Sequence, residues 1–206
     1  MRKETLNIEK EVLAKARRAR KGTLLFPEYF KGLGSAATIR KALQRLSDKG
    51  LLVWVAQGIY VIPEESKLIG KVRPGLQEIA KAIAKRDKAR IVPTGIAALN
   101  QLGLSTQVPM NMVYLTDGTA RKILVGKGKI TFKKTTPKNL AAKGEISSLV
   151  IQALRAIGKD KVTNEETEKI LSLLRKENEN YLLHDIKLAP AWIADIMSKA
   201  IIEKIK

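Results

Sequence analysis

The sequence predicts an α+β fold, and three of its features carry that prediction. Residues 35–49 (SAATIRKALQRLSDK) space Ala36, Ile39, Ala42, Leu43 and Leu46 so that they share one face of an α-helix. Two β-rich runs follow at once, Leu51–Val55 and Ile59–Ile62, joined by Ala56-Gln57-Gly58 in the manner of a tight hairpin. From Lys143 onward the apolar spacing is helical.

Taken in chain order, residues 7–20 predict a helix with Ile8, Val12, Leu13 and Ala16 on its buried side and Gly22 after its end. Thr23–Phe26 is a short β-type run able to pair with the hairpin. Pro27 suits the first turn of a short helix, PEYF. Lys31-Gly32-Leu33-Gly34 is the turn before the helix of residues 35–49. Ser35 is its N-cap, because a hydroxyl there accepts from a free backbone N–H of the first turn. Lys49-Gly50 suits its far end, a cation near the last carbonyls followed by a residue that tolerates a left-handed cap. Helix, short strand, short helix, turn, helix, hairpin is the order of a winged helix-turn-helix, assigned to residues 1–63.

Pro63–Pro74 (PEESKLIGKVRP) is polar and contains two prolines and a glycine, so residues 64–75 are read as a linker. Residues 76–206 are read as an α+β domain. Leu76–Lys85 is an amphipathic helix with Ile79, Ala80, Ile83 and Ala84 inward, and Ile96–Leu102 a short helix closed by Gly103. Val113–Thr116, Lys122–Val125 and Lys129–Lys134 read as strands, with Asp117-Gly118 a turn. The helical tail begins at about residue 143; Thr163-Asn164-Glu165-Glu166 is a capping sequence within it, and Pro190 opens the last helix.

The chain has 206 residues, a net charge of +19 and no cysteine. Disulfides and thiolate metal sites are excluded. No apolar run reaches the ~18 residues of a membrane span, and the first residues have no apolar signal-peptide core. The expectation is a cytoplasmic protein with no membrane partner. The charge is uneven. Residues 1–63 hold 13 basic and 5 acidic side chains, residues 64–143 hold 16 and 5, and residues 144–206 hold 10 of each. A basic body with a neutral end fits a polyanion-binding surface backed by a separate module.

The face of the 35–49 helix opposite its apolar stripe carries Arg40, Lys41, Gln44 and Arg45, with Thr38 at its margin. Arg bonds guanine O6 and N7 together, and Gln does the same for adenine N6 and N7. Lys41 and Ser35 suit phosphate. Gln57-Gly58 at the hairpin tip suits sugar–phosphate or the minor groove, and Arg17, Arg18 and Lys21 suit flanking phosphates. The expected partner is double-stranded DNA, read in the major groove, which admits a helix as the deep groove of A-form RNA does not. Two plainer readings stand beside these: a solvated helix face, and cations placed at a helix C-terminus. The basic strands around residues 121–134 are open between DNA contact, an acidic protein partner, and lysines that discourage edge pairing.

No enzyme is expected, and no catalytic, cofactor or metal site. His184 is the sole histidine and sits in LLHDIKL; Gly126–Lys129 lacks the order of a phosphate-binding loop; Gly-x-Ser-x-Gly does not occur. Metal-assisted phosphoryl chemistry needs clustered carboxylates, which the basic two thirds do not offer. Stacking of RNA bases on a sheet is weakly provided for at 4% aromatic residues.

The runs RKALQRLSDKGLLVWVAQGIYVI and PTGIAALNQLGLSTQVPMNMVYLTDGTARKI resemble the AbiEi-type antitoxins of bacterial type IV toxin–antitoxin systems, in particular a short, uncharacterised branch. The likeness spans residues 5–200. Gln57-Gly58-Ile59-Tyr60 and the segment from Leu102 to Pro109 carry it. It implies an N-terminal winged helix-turn-helix that binds operator DNA and represses its own operon. It also implies a C-terminal region that neutralises a nucleotidyltransferase-like toxin. The compact helical tail departs from the longer family members. The expectation is a sequence-specific DNA-binding transcriptional regulator, an autorepressing antitoxin. The alternative is a protein-interaction module that neutralises the toxin, with DNA binding secondary.

Overall fold

The structure is a computed structural model that describes residues 2–66 and 70–202; residues 67–69 of the expected linker lie outside the described residues. The fold is α+β with a helical C-terminal end. The chain divides into two compact units, Met1–Ala82 with Ile123–Gly128, and Ile83–Lys122 with Lys129–Lys206.

The first unit begins with helix α1 (Arg2–Arg17), strand β1 (Leu24–Leu25) and a 3-10 turn over Pro27–Phe30. Helix α2 (Ala36–Asp48) follows, then strands β2 (Val53–Ala56) and β3 (Ile59–Val61). The expected helix over residues 7–20 starts earlier and stops at Arg17. The chain then turns toward the sheet, where the Gly22 N–H donates to the Ile62 carbonyl. The sheet order is β1-β3-β2, all antiparallel, with Leu24 opposite Val61 and Trp54 opposite Tyr60.

Local chemistry fixes α2. The Ser35 hydroxyl accepts from the Thr38 N–H at 3.2 Å, as an N-cap should. At the other end Leu51 N–H donates to the Leu46 carbonyl and Gly50 N–H to that of Ser47, a Schellman pair closed by Gly50 at φ +70°. The inner face of α2 then buries Ile39, Ala42, Leu43 and Leu46 against Val12 and Ala16 of α1, Phe30, Leu52, and Leu25 and Tyr60 of the sheet. Truncating Leu43, which is wholly buried, would cost ~2–5 kcal/mol.

The stretch read as a linker holds two short antiparallel strands, β4 (Glu64–Ser66) and β5 (Gly70–Val72). Their charged residues, Glu64, Glu65 and Lys71, hide them, because short strands without apolar alternation give no period-2 signal. Helix α3 (Leu76–Asp87) follows, and the division between units falls within it, after Ala82.

Next come β6 (Ile91–Pro93), α4 (Ile96–Gln101), β7 (Asn111–Thr116), β8 (Arg121–Val125) and β9 (Gly128–Lys134). Their sheet has the order β6-β7-β9-β8, with β6 antiparallel to β7 and β7 parallel to β9. Asp117-Gly118 is therefore not the tip of a hairpin. The Asp117 carboxylate instead accepts from the backbone N–H and the Nε–H of Arg90, both at 2.8 Å.

Helices α5 (Glu145–Ile157), α6 (Asn164–Leu174), α7 (Glu179–Ile186) and α8 (Ala191–Ile202) form the end. Val150, Ala153, Leu154, Ile170, Leu174, Leu182, Ile193 and Met197 fill their core. Thr163 and Glu166 make the expected capping box. Among the described residues no helix is long and apolar enough to cross a membrane.

Candidate functional site

The outer face of α2 and the β2–β3 hairpin form the most distinctive surface of the first unit. At 100° per residue, Ala37, Lys41, Gln44 and Asp48 form an outward ridge, and all four are exposed. Arg40 lies on one flank of this ridge and Arg45 on the other. The structure treats these two arginines differently.

Arg45 has a partner. Its Nη1 donates to Glu9 Oε1 of α1 at 3.1 Å, and Lys49 Nζ donates to the other Glu9 oxygen at 2.6 Å. Glu9 is only 7% exposed, yet it follows the same stripe as Val12 and Ala16. The hydrogen-bonded ammonium of Lys49, and with it Arg45, holds its carboxyl below the usual carboxylate range in spite of burial. The pair anchors the last turn of α2 to α1. Arg45, expected as a groove reader, is thus half committed to a structural contact.

Arg40 and Lys41 are exposed and, among the described residues, have no ion-pair or hydrogen-bond partner. Gln44 sits beside them with its amide oriented. Its Nε2 donates to Asp48 Oδ1 at 3.0 Å, and the Tyr60 hydroxyl reaches its Oε1 at 3.5 Å. Tyr60 is otherwise buried, and that burial raises its phenol above the ordinary value. The strand β3 thereby places a polar tip against the edge of the α2 ridge. Ser35 and Thr38 share a hydroxyl hydrogen bond of 2.8 Å, so both are engaged at the cap.

The hairpin meets this ridge through the Tyr60–Gln44 contact. Gln57 is exposed, and Gly58 takes φ +69°, the left-handed conformation the turn requires. Arg17, Arg18, Arg20 and Lys21 are exposed too. The register sets them apart from the tip: Gly22 bonds Ile62 at one end of β3, while Gln57-Gly58 lies at the other. The structure places Arg40, Lys41 and Gln44 on one exposed helix face and joins that face to the hairpin through Gln44 and Tyr60. It does not bring Arg17, Arg18 and Lys21 to the hairpin tip.

Two contributors escape the sequence patterns. Glu9 has a signal, a carboxylate at the i position of an i, i+3, i+7 apolar series with Val12 and Ala16. Tyr60 and its neighbour Trp54 need the strand register, which a bulge between Trp54 and Ala56 shifts.

In the second unit the charged groups have internal roles. The buried Asp185 carboxylate accepts from the Lys143 and Gly144 N–H groups, the Ser147 hydroxyl and His184 Nδ1. Burial opposes its ionisation but is outweighed by His184, Ser147 and the two backbone donors, so its carboxyl lies below the ordinary aspartate value. Glu177 accepts from Ile146 and Ser147. Both acids satisfy the free N–H groups that open α5. His184 is thereby an orienting neighbour of Asp185. Among the described residues no group of three His, Cys, Asp or Glu side chains could hold a metal ion. On the sheet, Lys122, Lys127, Lys133 and Lys134 are exposed.

A family model described as DUF6088, a family of unknown function, matches residues 11–182. No curated protein matches the chain.

Proposed function

The chain belongs to the DUF6088 family, and we propose that it is a sequence-specific regulator that binds double-stranded DNA through a winged helix-turn-helix. α2 is the recognition helix and the β2–β3 hairpin is the wing. The observation that carries this reading is the pair of exposed cations, Arg40 and Lys41, without a partner among the described residues, beside the oriented amide of Gln44 on one helix face. A helix of this kind fits the major groove, where Arg40 is suited to guanine, Gln44 to adenine and Lys41 to phosphate. Arg45 and Lys49 act chiefly through Glu9, holding the helix at its angle. Arg17, Arg18 and Lys21 serve phosphates farther along the duplex. The resemblance to AbiEi-type antitoxins supports an autorepressor of a toxin–antitoxin operon as the biological setting.

Selection of duplexes from a random-sequence pool by the full chain tests this. A recurring sequence is expected, and Arg40→Ala should bind it ~1–3 kcal/mol more weakly with relaxed preference at one position. Recovery of unenriched DNA would reject sequence-specific binding.

A second reading, docking of a nucleotidyltransferase-like toxin, is favoured by one feature of the second unit. Val108 is 83% exposed and Met110 53%, within a loop that Asn100 pins through the Ser105 and Gln107 carbonyls. Exposed apolar side chains on a held loop suit a protein partner. Co-purification with the product of a neighbouring gene, abolished by Val108→Asp, tests it.

A further inference from the structure

Among the described residues the first unit leaves Tyr29, Leu51, Trp54 and Leu124 exposed, and Trp54 carries the largest apolar side chain of these. Tyr29 is also exposed, but Lys15 Nζ lies 5.2 Å from its ring centroid and Phe30 packs edge-on at 5.1 Å. Trp54 is 50% exposed on β2, and among the described residues no ring or cation contact involves it. An indole there forgoes much of the burial that usually justifies so large a ring.

Its position gives it a use. Trp54 lies directly opposite Tyr60 in the β2–β3 ladder, and cross-strand partners share one face of the sheet. Tyr60 is the residue whose hydroxyl meets Gln44 on the α2 ridge. Trp54 therefore occupies the hairpin face that borders the ridge, next to the contact between strand and helix. The irregularity between Trp54 and Ala56 is of the kind that re-aims a side chain and strengthens local twist.

We infer that Trp54 is a further affinity determinant of the DNA interface: its indole packs on the sugar–phosphate strand bordering the groove that α2 enters. The inference rests on the reading of α2 and its hairpin as a DNA-binding element. Charge complementarity selects the occupant, because the ridge offers Arg40 and Lys41, which have no counter-charge among the described residues. An apolar ring on the strand that borders a helix face carrying exposed Arg40 and Lys41 suits a partner that is anionic at its phosphates and apolar at its sugar and base faces. The indole N–H can donate to a phosphate oxygen.

The chain has two tryptophans, so Trp192→Phe makes Trp54 the sole indole reporter. Titrated with a short mixed-sequence duplex, this full-length variant should show Trp54 emission quenched and shielded from acrylamide. In the otherwise native chain, Trp54→Ala should weaken duplex binding about tenfold, within the span of aromatic truncations on nucleic acids. Trp54→Phe should stay within about threefold of the parent, since the ring face is kept. Both should melt as the parent does. If the parent binds duplex while Trp54→Ala binds equally well, the inference falls and the DNA reading stands. If the parent does not bind duplex at all, the reading beneath it falls. Shielding of Trp54 that grows with protein concentration in the absence of DNA would assign the ring to a second copy of the chain and overturn the inference.

Discussion

The first unit and the helical end use charge in opposite ways. On α2 the outward cations Arg40 and Lys41 stand without counter-charges among the described residues, and a buried acid, Glu9, serves Arg45 and Lys49. In the helical end, residues 144–206 balance ten acids against ten bases, and three of the acids are tied to helix starts: Asp185 and Glu177 to α5, Glu166 to α6. Charge that satisfies the protein's own backbone stabilises the fold and offers nothing to a partner. Charge without a partner costs the fold little in water and remains available to an external polyanion. The difference is one of placement as much as of net charge.

The sharpest way to break this contrast is at Asp185. Asp185→Ala orphans two backbone N–H groups and a buried hydroxyl, and each unsatisfied group costs ~1–3 kcal/mol. The helical end should therefore lose several kcal/mol, seen in urea unfolding followed by Trp192 fluorescence in a Trp54→Phe background, while duplex binding by the first unit is unchanged. Acid should act in the same direction. The Asp185 and Glu9 carboxyls both lie below their ordinary values in the folded chain. Each contributes stability that is present above the unfolded carboxylate range, ~pH 4, and is lost as pH falls through the folded value. A melting temperature that rises on acidification through this range would contradict those assignments.

A smaller effect is expected at Glu9. Glu9→Gln keeps the shape but removes the charge that Arg45 and Lys49 share. Both cations are about half exposed, so solvent screening limits the loss to about 1 kcal/mol. Freed from Glu9, Arg45 and Lys49 add to the outward charge, so duplex binding should become more salt-sensitive. The smallest effect is at the Thr163 cap, where Thr163→Ala should cost ~1 kcal/mol of stability with no change in DNA affinity.

The features that sequence foretells here are local ones. The Ser35 cap, the Gly50 stop, the α2 stripe, the hairpin around Gln57-Gly58 and the Thr163 capping box each depend on residues within a few positions of one another. The parallel pairing of β7 with β9 does not, and Asp117-Gly118 therefore read as a turn between neighbours when its carboxylate belongs to Arg90, twenty-seven residues away. The strands at 64–66 and 70–72 were masked by a charged, proline-bounded composition. Of the site, Arg40, Lys41 and Gln44 were legible from helical spacing. That Arg45 is shared with Glu9, and that Trp54 borders the ridge, required a helix crossing and a strand register that no short window contains.

The central claim is that the unpartnered cations of α2 meet DNA phosphates and bases. The most direct measurement is duplex affinity against salt for the parent, Arg40→Ala and Lys41→Ala, using a duplex enriched from the random pool. A linear fall of log affinity with log salt is expected, with the slope reduced by about 1 in Lys41→Ala and base preference relaxed in Arg40→Ala. Affinity indifferent to salt, or variants identical to the parent in slope and preference, would contradict it.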